Sequence, residues 1–528
     1  MKLRNFALSA IAVAASLNLS AQEPAQNWHH LDKEKDGVQG MSTIKAYDEL
    51  LKGKKSKTVI VAVIDSGMEE VHDDLKNVMW VNEGEIPNNG IDDDKNGYID
   101  DINGWNFIGG KDGNVDQDNL EITRLLRKYT AMFDGKTEAD ISKKEMDAFK
   151  EYQKIKDEVA ENLAASAPVL ERLRGFNSVI EMIQEKLDGK EATEENIDAL
   201  GLTGEGIEET VAIIKRNMGE GSLEDLHEYF QSGIDYYSGQ VDYYYNVDFD
   251  PRNIVGDDYD NLKEKGYGNN TIEGPDATHG THVGGIIGAE RGNGIGMDGV
   301  ADNVRLMSIR AVPNGDERDK DVAAAIRYAV DNGATVINMS FGKAYSWNKD
   351  IVNKAVKYAL KKDVLLVHAA GNSNQNNDFM DNFPNDSYKK NPSKKAANWL
   401  EIGALDWKEG ELTPARFSNY GAENVDVFAP GVDIYATWVD NGYKAISGTS
   451  MASPACAGVA AVLRSYFPSL SAKEVKEIIM NSSVKLDMDV LKPGEKKGGS
   501  TVKFSELSVS GGVVNMYEAV KMAMAMSK

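Results

Sequence analysis

The chain has 528 residues, enough for one large domain with an insertion or for two or three domains. Its 59 Lys and Arg against 84 Asp and Glu give a formal charge of -25, a surface that repels phosphate backbones and argues against nucleic acid as a partner. The single cysteine, Cys456, leaves no internal disulfide and no thiolate metal cage.

In chain order, residues 1–21 read as a signal peptide. Lys2 and Arg4 precede the short apolar run "FALSAIAVAASLNLSA", and small residues predict cleavage after Ala21. The run is shorter than the ~20 residues of a spanning helix. No Cys follows it to carry a lipid, and no later stretch is apolar enough to cross a membrane. The expectation is export to the periplasm, the cell surface or the medium, with no membrane span after cleavage. Residues 22–57 form an N-terminal extension.

The run "TVIVAVID" (58–65) is β-branched without polar alternation, which predicts a strand buried on both faces. Similar runs occur at 304–312, 334–340, 363–372 and 425–431. Between them, "DVAAAIRYAVDNG" (321–333) and "IVNKAVKYALKKD" (351–363) carry helical patterns and end signals. This alternation predicts an α/β fold, a doubly wound and mostly parallel sheet over 58–528. Ligand sites in such sheets gather at the carboxyl ends of strands, where Asp65 and Asn372 fall.

The loop "DDDKNGYIDD" (92–101) places Asp92, Asp94 and Asn96 at alternate positions, followed by Gly97 and Asp100. That is the start of an EF-hand-type Ca²⁺ loop. Asn103 stands where the bidentate Glu belongs, so further ligands such as the Tyr98 carbonyl or Asp101 are needed. The plain alternative is an acidic turn.

Residues 119–242 interrupt the α/β pattern with charged helical segments. Ala148, Tyr152, Ile155, Val159 and Leu163 form one apolar stripe, and Leu173, Phe176, Ile180, Ile183 and Leu187 another. Ser142 and Glu145 have capping-box spacing for the first. A helical insertion docked by these stripes accounts for the pattern without any cofactor.

"SGTSMASPACAGVAA" (447–461) starts a helix that is apolar all round and therefore buried. Its free N–H groups and dipole favour negative charge at the start, where Ser450 lies. An N-cap role is the commoner fate of a lone serine. Nucleophilic chemistry also needs a base and an orienting group. Among seven histidines, only "ATHGTHVGGIIGA" (277–289) sets one beside Gly ahead of a small-residue helix. The order Asp65, His279, Ser450 excludes the Ser-Asp-His order of α/β-hydrolases. His279 and His282 lack the Glu and the spacing of a zincin, so no catalytic metal or other catalytic cofactor is expected, and His282 reads as a structural helix residue.

"VIDSG", "HGTHVGGIIGA" and "SGTSMASPACAGVAA" resemble, in order, the three catalytic motifs of the subtilisin-like serine peptidases, the subtilases. "AAGN" (369–372) resembles their oxyanion-hole segment and "NMSFG" (338–342) their substrate-binding strand. The resemblance implies Ser450 as nucleophile, His279 as base, Asp65 as its orienting carboxylate and Asn372 as oxyanion donor. It implies Ser340, Phe341 and Gly342 as the edge that pairs with a polypeptide substrate. It also points to Asp74 and Asn293 as the place of a second calcium. Three features depart from the simplest family members. The insertion separates Asp65 from His279, residues 22–57 are short for a folding-assisting prodomain, and Gly284 replaces a usual Ala. "SGGVVNMYEAV" (510–520) resembles the close of a subtilase domain, with no sorting domain expected after it. A catalytically silent binding protein on the same scaffold is the alternative.

Overall fold

A computed structural model describes residues 24–218 and 222–527; the signal peptide expected over 1–21 lies outside the described residues. The β-branched runs form strands β1 (Val59–Asp65), β3 (Val304–Arg310), β4 (Val336–Met339), β5 (Leu365–Ala369) and β7 (Val427–Pro430). They join β2 (Gly104–Asn106), β6 (Trp399–Leu405), β8 (Val484–Lys485) and β9 (Gly512–Val513) in one nine-stranded sheet. Its order is β8-β9-β7-β6-β5-β4-β1-β3-β2. Every neighbouring pair is parallel except β8 with β9.

Side-chain alternation divides the core between the two faces. Val59, Val61 and Val63 of β1 face one apolar layer, and Ala62 and Ile64 face the other. The first layer holds helices α4 (Thr278–Gly288) and α7 (Thr449–Tyr466); the second holds α5 (Asp319–Asp331) and α6 (Lys349–Lys361). Covered faces are what the unbroken apolar runs predict.

Strand β6 is central and buried, yet its run "WLEIGAL" hides the pattern behind Glu401 and Gly403. The Glu401 carboxylate accepts hydrogen bonds from His368 Nδ1 and Trp399 Nε1 at 3.0 and 2.8 Å, so the charge is not stranded. Gly403 leaves room for the Phe428 ring, which would lie 2.8 Å from an added Cβ.

The described part of the N-terminal extension, residues 24–57, is no separate unit. Trp28, Met41, Ala46 and Leu51 belong to the α4/α7 layer, and Trp28 Nε1 donates to the Val432 carbonyl.

The insertion is helical, with α1 (Glu121–Phe133), α2 (Met146–Leu187) and α3 (Leu223–Ser238) as its longest members. The two predicted stripes lie on a single helix, α2, not on two. Ser142 does not cap it: Glu145 is the N-cap, and the Ser142 hydroxyl donates to the Glu145 carboxylate instead. Near its start α2 packs against α1 through Phe149, Tyr152, Ile155 and Val159, with Tyr345 and Trp347 of the main domain at the edge. Its far end forms a second core around Ile180, Ile183 and Leu187. Asn119 Nδ2 donates to the carbonyls of Tyr243 and Asn246, which draws the two ends of the insertion together.

Candidate active site

Three adjacent strands, β1, β4 and β5, deliver Asp65, Ser340 and Asn372 to one edge of the sheet. Helix α4 brings His279 over the end of β1. The helix approaches closely because Gly280 has no side chain: a Cβ there would lie 1.9 Å from the Gly67 carbonyl. Gly284 is likewise explained, since Met68 Cε fills the space of an alanine methyl.

His279 Nδ1 and Asp65 Oδ1 are 2.7 Å apart, with Asp65 buried and the imidazole 37% exposed. Burial opposes the charged ring, but the Asp65 charge and hydrogen bond outweigh it, and the His279 pKa rises above its ordinary value. His282, one turn on, is held by the carbonyls of Ile434 and Lys444. Burial depresses its pKa to about 4, so it is neutral and structural, as its sequence context implies.

Ser450 is the second residue of α7. Its N–H donates to no acceptor among the described residues. Pro454 cannot supply the helical N–H that the Ser450 carbonyl would take, and Ser340 Oγ donates to that carbonyl at 2.9 Å instead. Asn338 Nδ2 donates to Ser340 Oγ, and Ser453 Oγ to Asn338 Oδ1, so a polar chain ties β4 to the start of α7. Ser450 Oγ donates to the Ser340 carbonyl at 3.2 Å rather than to His279.

Asn372 is oriented by its own carbonyl, since Oδ1 accepts from Thr449 N and Oγ1 at 2.8 and 2.9 Å. Its amide nitrogen has no hydrogen-bond partner among the described residues, and Asn372 and Ser450 line a common cavity of about 420 Å³. Phe341 and Gly342 lie on the same cavity, and their backbone groups have no partners among the described residues. The chain pairs again only at Lys343, with Phe383.

The acidic loop is rearranged relative to its sequence pattern. Carboxylate oxygens of Asp92 and Asp94 lie within 4.8 Å of one another and of Glu85, which the motif did not include. Asp100 accepts from the Asn89 and Gly90 N–H groups and Asn96 Oδ1 from Tyr98 N, as Asp92 accepts from Gly97 N and Glu85 from Asp94 N. Asp101 is filled by Asn82, Asn96 and Tyr328. Asp74 accepts from Asn293, Met297 and Tyr443, which ties it to the segment that carries Asn293. Glu85 lies before the motif and joins it only through the loop's folding, a signal that fixed spacing does not carry.

The sheet, its covering helices and the strand-end site define a subtilisin-like α/β fold. Residues 56–506 match the subtilase family, and the chain belongs to it. It is 44% identical over 188 residues to the "Thermophilic serine proteinase" of Bacillus sp. (strain AK1), covering 35% of this chain and 42% of that one. It is 35% identical over 209 residues to "Subtilisin DY" of Bacillus licheniformis, covering 39% and 71%. The chain thus spans less than half of the first of these relatives. A solved structure of a protease from Pseudoalteromonas arctica aligns over 94% of this chain and 97% of its own at 19% identity, with a TM-score of 0.46.

Proposed function

We propose that the protein is an exported serine endopeptidase that cleaves polypeptides through an acyl-enzyme on Ser450. The hydrogen bond between Asp65 and His279, the latter borne by a helix that packs against the one bearing Ser450, is the observation that carries this reading. Ser450 Oγ turns from the Ser340 carbonyl to the substrate carbonyl carbon, and His279 Nε2 takes its proton. The Ser450 N–H and the Asn372 amide hold the oxyanion. His279 then gives the proton to the departing amine, and water attacks the acyl-enzyme by the same route. Asp65 keeps the imidazole in the tautomer whose Nε2 accepts, and stabilises the imidazolium. The unpaired backbone of Phe341 and Gly342 takes the substrate as an added strand.

A structural Ca²⁺ belongs to the same reading. Glu85, Asp92 and Asp94 present a hard, anionic oxygen set that suits it. The ion would neutralise the loop and takes no part in the reaction. Export follows from the sequence of residues 1–21, and no described helix is long and apolar enough to cross a membrane.

The bond from Ser450 to Ser340 is the one observation that favours a silent binding protein. A fluorophosphonate probe separates the readings. It labels the wild type and not Ser450→Ala, a substitution close in size that leaves the fold intact. A mature wild type that neither reacts with the probe nor cuts peptides overturns the peptidase reading and favours the binding protein.

A further inference from the structure

The cavity beside Ser450 has a wall that the catalytic roles do not use. Glu317 lines it and is only 2% exposed, yet its Oε1 has no hydrogen-bond partner among the described residues. An unpartnered buried carboxyl is costly unless something occupies it in the working complex. Asp381, exposed, lines the same cavity.

The one cation on the cavity wall among the described residues is already committed. Lys343 Nζ lies 3.0 Å from Glu121 Oε1 and 2.9 Å from Asp319 Oδ1, and it donates to the Glu317 main-chain carbonyl at 2.6 Å. Its side chain is 1% exposed. The Arg124 guanidinium also reaches only the Glu317 carbonyl and is paired with Glu121 and Asp118. Asp316, next in the chain, is half-buried, and it spends one oxygen on the Glu121 N–H. The wall therefore carries more acid than base. Burial, with Asp316 and Asp319 adding, pushes the Glu317 carboxyl up to about 8, and Lys343 opposes them. Such a group holds its proton in the free protein and gives it up to a cation of the right reach. The formal charge of -25 draws cationic chains to the same surface.

We propose that this cavity selects a Lys or Arg side chain of the polypeptide substrate, through the carboxyls of Glu317 and Asp381. The proposal deepens the peptidase reading and rests on it for the substrate class. Glu317 is a specificity-determining residue here, whereas Ser450 and Asn372 act on whatever peptide the cavity admits.

The test uses quenched peptides in which one position at a time, on either side of the cut, is Lys or the uncharged norleucine. At about pH 9, where Glu317 is ionised even without a ligand, kcat/KM for Lys should exceed that for norleucine by about tenfold or more at one position. Glu317→Gln should bring the ratio towards one, Glu317→Asp should keep part of it, and Asp381→Asn should lower it less. A wild-type ratio of one or below at every position overturns the proposal, as does a ratio untouched by Glu317→Gln. Labelling of each variant by the fluorophosphonate shows that its site is assembled. The same peptides titrated calorimetrically into Ser450→Ala provide an arm independent of catalysis. Tighter binding of the Lys peptide, lost with Glu317→Gln, supports the acidic wall even if no peptide is cut. Equal Kd values for the two peptides overturn it, even if both are cut.

Discussion

Glu121, the first residue of the insertion's α1, is ion-paired at 3.0 Å with Lys343, the residue after Gly342. Both side chains are buried, at 0% and 1% exposure. Arg124 extends the contact to the carbonyls of Asp316 and Glu317, and the Tyr345 hydroxyl donates to Glu158 at 2.7 Å. The insertion is thus seated against the wall of the cleft.

Seated there, the insertion should limit what reaches Ser450. With Asn119–Asp242 replaced by a Gly/Ser linker, small chromogenic peptides should still be cut and folded proteins cut faster. The replacement removes Glu121, but Asp319 stays 2.9 Å from Lys343, so that buried charge keeps a partner. The ratio of protein to peptide kcat/KM is the measurement. An unchanged ratio in a folded variant makes the insertion an appendage, not a gate.

The buried pair also predicts a stability effect. Glu121→Gln takes one of two carboxylate partners from each of Lys343 and Arg124, which keep Asp319 and Asp118, and should cost about 1–3 kcal/mol in urea unfolding. Although burial opposes it, Arg124 and Lys343 hold the Glu121 pKa down to about 2. A depressed carboxyl stabilises the fold above its ordinary value of 4.5 and loses that contribution as pH falls towards 2. The wild type should therefore lose stability over that window more steeply than the variant. Parallel pH–stability curves would remove Glu121 from this role.

At the oxyanion site, Asn372→Ala should lower kcat by about 10²–10³, the range known for an oxyanion donor in this family, with KM little changed. An effect confined to KM would make Asn372 a binding residue. Because Thr449 pins Oδ1, Thr449→Val should lower kcat by a smaller factor.

The pH profile should report the pair of His279 with Asp65. The base must be neutral, and its pKa is raised, so kcat/KM should fall as pH drops through a value above 6.5. Asp65→Asn should move that limb lower and reduce kcat by about 10⁴. An acid limb at or below 6.5 in the wild type would contradict the coupling.

Calcium should raise the melting temperature, because an ion bound only by the folded chain stabilises it by mass action. Glu85→Gln should weaken that response as much as Asp92→Asn, whereas Asp100→Asn should lower stability without changing the calcium dependence. A response that survives Glu85→Gln together with Asp92→Asn would place the ion elsewhere.

What the sequence determined by itself was local or linear. The β-branched runs declared buried strands, the apolar helix after Ser450 declared its burial, and the order of Asp65, His279 and Ser450 set the family apart. These signals lie in adjacent residues or in chain order, so no fold is needed to read them. Strand β6 escaped because Glu401 and Gly403 break its pattern, and only the neighbours His368, Trp399 and Phe428 make them tolerable inside. The tertiary structure alone joined Glu85 to Asp92, turned Asp100 to the backbone, and set Glu121 on Lys343 across 222 residues. It also brought Glu317 to the cavity of Ser450. Burial and pairing between distant segments decide whether a carboxyl braces a loop, pairs with a buried cation or stays without a partner, and residue spacing does not encode that.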